Sequence, residues 1–408
     1  MASKLATREK PEHSGEPVRI DCLLACLYFT LLPFTVVTTP FGSLLKVMTV
    51  PIVALLGLRI LSGKVSFTLN YVHLLYTLYI LYTVSQLITY RTDRAYVTTR
   101  DMVLGLMMLA MVSIRIYNRR EREWIESAWL VVGLVCIIAA LNSKEVLSAT
   151  ESRIVVRILG YEEDQNHFCS YFIMAMLISV KRFLERRRFY PAYLLVLILS
   201  FYSILRTGSR GGLIGVLCGL AAYGLFGIKS IRMRLAVVLA GAAVIFLVFT
   251  VVVPSLPEDL MQRYSLASVL SDGATGRFDI WRYLVNYTMR SPSRMIWGSG
   301  VNSTYEILYG AGFANGVAHN TFLQVFNDQG MIGLLLFLIL IAACFGRNAV
   351  RQPLYACALT AIMAFAMSLT FYTFKPYLNI MMMCAMTFED TLPEHGLTNR
   401  GEESLSYV

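Results

Sequence analysis

The sequence predicts an all-α polytopic membrane helix bundle, with about twelve transmembrane helices and one long, partly helical extracytoplasmic loop. Three observations predict it. Of 408 residues, 56% are hydrophobic and only 15% are charged, more apolar surface than one soluble core can bury. The apolar residues gather in runs near the roughly 20 that a helix needs to cross hydrocarbon. A single polar excursion between these runs, Pro254 to Asn320, is long.

The elements follow in order. Residues 1–19 form a polar tail with Lys4, Arg8 and Lys10, and the next apolar run lacks a small-residue cleavage site, so it reads as a retained first span. Spans are expected near 20–38, 44–62, 67–89, 101–117, 125–142, 165–180, 190–205, 211–228 and 235–253, a block covering 20–253. The loop 254–320 follows, then spans near 328–346, 354–371 and 375–388 within 321–388, and a tail at 389–408. All eight cysteines lie in apolar runs and read as small core residues, not as disulfides or metal ligands. The formal charge of +10 reflects 36 Lys and Arg against 26 Asp and Glu. In such a chain that excess belongs to cytoplasmic loops and does not argue for nucleic acid. The dense basic clusters "RIYNRREREW" (115–124), "KRFLERRRFY" (181–190), "KSIRMRL" (229–235) and "GRNAVR" (346–351) occupy alternate loops, which puts both tails in the cytoplasm.

On that topology "RTGSRGG" (206–212) lies outside, against the usual charge bias of a short loop. Arg206 and Arg210 either snorkel to headgroups or bind an anion. Gly208, Gly211 and Gly212 favour the second reading, since they let backbone approach a ligand and residues 207–211 suit an anion-binding nest. The loop "TYRTDRAYVTTRD" (89–101) has no such glycines, and its arginines read as headgroup contacts.

Within the long loop, "TGRFDIWRYLVNYTMR" (275–290) reads as a helix capped by Thr275, with Phe278, Trp281 and Val285 on one apolar face. Arg277 in its first turn opposes the helix dipole. Either an anionic ligand removes the conflict, or Arg277 pairs with Asp272, Asp279 or another carboxylate. In "GVAHNTFLQVFNDQGMIGLLLFLILI" (316–341), Asn320 is an expected N-cap with His319 directly before it. Asn320, Gln324, Asn327 and Asp328 recur at helical steps and suggest a polar stripe facing a wet cavity. The alternative is a water-exposed helix with a solvated histidine. Glu162, Glu163 and Asp164 lie in the outer loop before the sixth span, where one of them could orient His319.

Three stretches, "RTGSRGGLIG", "TGRFDIWR" and "AHNTFLQVFNDQGMIGLLLF", together resemble the O-antigen ligase and polymerase superfamily of bacterial membrane glycosyltransferases. The resemblance covers roughly residues 200–345; the N-terminal half is similar only in hydropathy and span number. It implies a multi-pass protein of the cytoplasmic (inner) membrane that moves a glycan from undecaprenyl diphosphate to a saccharide acceptor at the periplasmic face. It also implies an inverting reaction that needs no metal, nucleotide or other cofactor. No Asp-x-Asp motif lies in any outer loop, so guanidinium groups would stabilise the charge developing on the diphosphate. Arg210 and Arg277 are the expected diphosphate clamp, Arg206 a weaker third, and His319 the expected base. Trp281 and the stripe beginning Asn320 and Gln324 suit sugar rings by general carbohydrate chemistry. A ligase acting on lipid A core, with one long loop ending in the histidine motif, is the first reading; an O-antigen, capsule or exopolysaccharide polymerase is the second. A flippase or secondary transporter fits less well, because no inverted repeat is visible and the informative residues gather near one face.

Overall fold

The computed structural model describes residues 17–63, 68–143, 145–147, 152–255, 258–264, 276–371 and 375–391. Helices dominate them. In chain order they are α1 (Ile20–Thr30), α2 (Leu44–Leu61), α3 (Tyr71–Ser85), α4 (Asp93–Ser113), α5 (Arg119–Asn142), the short α6 (Gln165–Phe168), α7 (Phe172–Leu184), α8 (Tyr190–Arg206), α9 (Arg210–Ala222) and α10 (Ile231–Leu247). Beyond them come α11 (Glu258–Arg263), α12 (Arg277–Met289), α13 (Pro292–Trp297), α14 (Thr304–Gly310), α15 (Thr321–Asn348), α16 (Pro353–Ala366) and α17 (Lys375–Ala385). Short strands pair β1 (Thr38–Thr39) with β2 (Gly42–Ser43), β4 (Glu145–Leu147) with β5 (Ser152–Ile154) and β6 (Val156–Ile158) with β7 (Tyr161–Glu163), all antiparallel. The pair β3 (Ile116–Tyr117) and β8 (Thr387–Phe388) is parallel.

Every stretch expected to span is helical over most of its described length. Among the described residues eight helices are long and apolar enough to cross a membrane, and α1, α8 and α16 are shorter apolar helices. The chain is a multi-pass helical membrane bundle. Helix starts differ from expectation where a cap extends the helix into polar sequence. Thr92 accepts from the Ala95 amide at 3.2 Å, so α4 begins at Asp93 and takes in residues expected as loop. Arg94 then lies over the Tyr305 ring at 3.4 Å, and Arg100 pairs with Asp101 at 3.1 Å. Asn118 and Glu121 form a reciprocal capping box at 2.8 and 3.0 Å that starts α5 at Arg119.

Helix α9 carries glycines along the face that meets α16. A Cβ on Gly215 would fall 1.7 Å from the Phe365 ring and one on Gly219 2.7 Å from Ala361 Cβ. Small residues at four-residue steps let two helices approach backbone to backbone where no hydrophobic force acts between them. Of the glycines expected to serve a ligand, two also pack against neighbouring segments. A Cβ on Gly211 would meet Ser368 and one on Gly212 would meet Cys169, while Gly208 at φ +66° follows the end of α8.

The two ends of the bundle differ. At one end the basic clusters interlock with carboxylates: Arg19 with Glu121, Arg59 and Arg115 with Asp21, Arg122 with Asp390 at 2.9 Å, Lys181 with Glu126 at 2.8 Å and Arg187 with Glu123 at 3.2 Å. Asp21, Glu121 and Glu126 are buried there, so each needs its cation. The other end carries α6 and α11–α14, with β6 and β7.

Helices α12 and α14 share a small core of Ile280, Leu284, Leu308 and Ala318, with Trp281, Tyr283 and Phe313 packed against it. The buried face of α12 is therefore Ile280, Leu284 and Thr288, not Phe278, Trp281 and Val285; Phe278 is 56% exposed. Thr275, the expected cap, lies outside the described residues, and Gly276 at φ +74° precedes the helix without a side-chain cap. The loop is joined to the bundle through α15, where Gly330 (φ +67°, ψ −167°) breaks the helical geometry. The amides of Ser299 and Gly300 donate to the carbonyls of Asn327 and Asp328 at 2.9 and 2.8 Å.

Candidate active site

The N-terminus of α15 is built by its own sequence. Asn320 accepts from the Leu323 amide at 3.0 Å, so Asn320 is the N-cap and Thr321 the first helical residue. His319 precedes the cap in the left-handed region, φ +51°, where a residue with a Cβ persists only if its surroundings hold it. They do so from both sides. The Ala318 carbonyl accepts from Trp281 Nε1 at 2.7 Å and its amide donates to Gln324 Oε1 at 3.1 Å. On the other side Asn320 Nδ2 donates to the Met367 carbonyl at 3.3 Å.

The turn after α16, residues 367–371, is the strap on which several elements meet. Arg277 Nη1, from the first residue of α12, donates to the Ser368 carbonyl at 2.9 Å. Thr321 Oγ1 donates to the Leu369 carbonyl at 2.7 Å and accepts from the Phe371 amide at 2.8 Å. Thr370 Oγ1 donates to Gln324 Oε1 at 2.9 Å. Gly211, next to Arg210, packs on the Ser368 side chain. The His167 ring lies 5.6 Å from that of Phe371, which brings α6 to the same strap. Asp164 accepts from the amides of Asn166 and His167 at 2.9 Å each and so caps α6.

The electrostatics follow from this assembly. Burial, reinforced by the Arg277 guanidinium, pushes the His319 imidazole down to about 4; Asp164 works in the opposite direction and His167 adds to the depression. His319 is thus a neutral base near pH 7. Burial beside Asp164 raises the Glu163 carboxyl to about 7, and among the described residues its Oε2 has no hydrogen-bond partner.

The expected site residues divide by what they touch. Arg277 and His319 stand within electrostatic reach of each other, and Arg210 begins the helix that packs on the same strap. Arg206 turns elsewhere: Nη1 and Nη2 donate to the carbonyls of Ala140 and Ser143 at 3.0 and 3.2 Å, at the C-terminal end of α5. Trp281 uses its N–H on Ala318. The polar stripe does not face a wet cavity. Gln324, Asn327 and Asp328 are buried, and Asp328 accepts from the amides of Asn302 and Thr304 and from the Ser303, Thr304 and Asn327 side chains. Buried polar atoms need partners, and here the outer loop supplies them. Sequence reasoning missed His167 and Ser368. The signal for His167 was present, a polar "DQNH" (164–167) opening a span much as His319 and Asn320 do; nothing local marks Ser368.

Residues 194–338 match the family model described as O-Antigen ligase. No curated protein matches the chain. Among solved structures the chain is similar to one from a peptidoglycan synthase complex in which polymerization and crosslinking are coordinated, at 15% identity and a TM-score of 0.45, covering 77% of this chain and 94% of that one. The match over 194–338, just over a third of the chain, contains Arg206, Arg210, Arg277 and His319 and supports the resemblance to the O-antigen ligase and polymerase superfamily.

Proposed function

We propose that the protein is an O-antigen ligase-type glycosyltransferase, which transfers a glycan from undecaprenyl diphosphate to a hydroxyl of a saccharide acceptor such as lipid A core. The interlocked basic end faces the cytoplasm, so both tails lie inside and the strap lies at the periplasmic face of the inner membrane. Arg210 and Arg277 hold the diphosphate, and His319 takes the proton of the attacking hydroxyl. The acceptor oxygen attacks the anomeric carbon from the face opposite the leaving group, that carbon's bond to the diphosphate breaks with inversion, and the electron pair leaves on undecaprenyl diphosphate. Guanidinium groups stabilise that charge more in the transition state than in the ground state, which removes the need for a metal ion.

The observation carrying this reading is that His319 and Arg277 come from two helix starts anchored to one turn. It also explains how a depressed imidazole becomes a competent base. Donor diphosphate on Arg277 neutralises one of the three causes of the depression, so donor binding raises the basicity of His319. As the imidazolium forms, the Asp164 carboxylate favours it.

The test is transfer by purified protein in lipid, with an undecaprenyl-diphosphate-linked glycan and a candidate acceptor. Transfer without added divalent cation, lost in His319→Ala and Arg210→Ala proteins of unchanged melting temperature, supports the proposal. Full activity of His319→Ala, or loss on chelation with recovery on adding a cation, overturns it. A ladder of repeat units in place of single transfers assigns the protein to the polymerases.

A further inference from the structure

At the end opposite His319, Arg347 occupies the last turn of α15 and Arg351 and Gln352 lead into α16. With Thr68, Thr387 and Thr391 they line a cavity of about 80 Å³. One water needs only about 10–15 Å³ of such space, so there is room for a phosphate-sized group. Arg347 Nη2 donates to Thr387 Oγ1 at 2.8 Å and Arg351 Nη1 to the Thr391 carbonyl at 3.4 Å. Among the described residues neither guanidinium meets a carboxylate, in contrast to Arg19, Arg59, Arg115, Arg122 and Arg187 at the same end.

Two further observations point into this space. Among the described residues, Gln352 is 2% exposed and its Oε1 has no hydrogen-bond partner; Arg347 Nε is likewise buried without one. Gln352 also holds the N-cap position of the fourteen-residue α16, and its side chain makes no cap. The positive end of that helix is therefore left to another acceptor. Turning the Gln352 amide exchanges its oxygen for an N–H donor, so one anion would satisfy the amide, both guanidiniums and the helix end together.

We propose that this cavity binds a phosphate group, gripped by Arg347 and Arg351 with the threonine hydroxyls and the Gln352 amide around it, and that an anionic phospholipid headgroup supplies it. Arg347 closes a membrane-spanning helix, which sets the cavity at the depth of headgroup phosphates. The site is independent of the transfer reaction.

The test uses the full chain in detergent, delipidated, then exposed to phosphatidylglycerol or phosphatidylcholine, with retained lipid counted by native mass spectrometry. The expected result is one retained phosphatidylglycerol in the wild type, about tenfold less in Arg351→Gln and in Arg347→Gln/Arg351→Gln, as loss of a charge-assisted hydrogen bond implies. Exposed Arg188→Gln should match the wild type. Gln352→Glu keeps both arginines and the side-chain shape, so its loss of retention at unchanged melting temperature supports the site without a folding argument. Inorganic phosphate that raises the wild-type melting temperature, but not that of Arg351→Gln, while phosphatidylglycerol does neither, assigns the cavity to free phosphate and overturns the lipid. Equal retention by the wild type and all three cavity variants, with no response to phosphate, overturns the site.

Discussion

Gly298 and Gly330 meet backbone to backbone: a Cβ on Gly298 would stand 2.3 Å from the Asp328 carbonyl oxygen, and one on Gly330 would stand 2.4 Å from the Gly298 amide nitrogen. Both have positive φ, +84° and +67°. Gly330→Ala therefore meets a strained backbone and rigid main-chain atoms together, and should cost more than about 2 kcal/mol. Gly241→Ala, in α10 with no described atom within 4 Å, should be neutral or gain up to about 1 kcal/mol. Melting temperatures of the two proteins in one detergent check this; equal values would contradict it.

Asp328 is the acceptor around which the start of α14 is organised. Asp328→Asn turns half of that acceptor into a donor facing other donors, and should cost about 1–3 kcal/mol. The loss should be local first. Protease cleavage between 298 and 316 should accelerate before the bundle unfolds, and a uniform loss of stability without faster cleavage would speak against this role of Asp328.

Arg206 and Arg210 separate by role. Arg206→Ala removes donors from the α5 carbonyls and should lower the melting temperature, with turnover per folded molecule falling less than about tenfold, short of a transition-state donor's effect. Arg210→Ala should reduce kcat per folded molecule by about 10² to 10³, the usual effect of removing one such donor. The reverse pattern would exchange the two assignments.

His319 makes a signed pH prediction. Its neutral form is the base, so the acid limb of kcat/KM, which reports the free enzyme, should fall near 4 and not near 6.5. The limb of kcat should lie higher, because bound diphosphate offsets Arg277. Arg277→Gln should move the kcat/KM limb upward even as it slows turnover. Stability follows the same sign: between pH 6.5 and about 4 the unfolded chain binds a proton that the folded site refuses, so stability falls with pH there, less steeply in His319→Gln.

The amino-acid sequence alone determined the class, the order of spans and the ends of several helices. Hydropathy, basic loops and caps such as Asn320 act over a few residues, and their signals are local. It also marked Arg210, Arg277 and His319, because each is a charged or titratable group placed where a bland explanation fits badly. Tertiary structure decided what each polar face meets. The stripe from Gln324 to Asp328 has helical spacing whether it faces water or the outer loop, and the glycines after Arg210 suit a ligand or α16 equally well by sequence. Arg206 and Arg210 lie four residues apart, yet one reaches α5 and the other stands by the strap at Ser368. Periodicity states which residues share a face; the partner of that face comes from contacts between segments far apart in the chain.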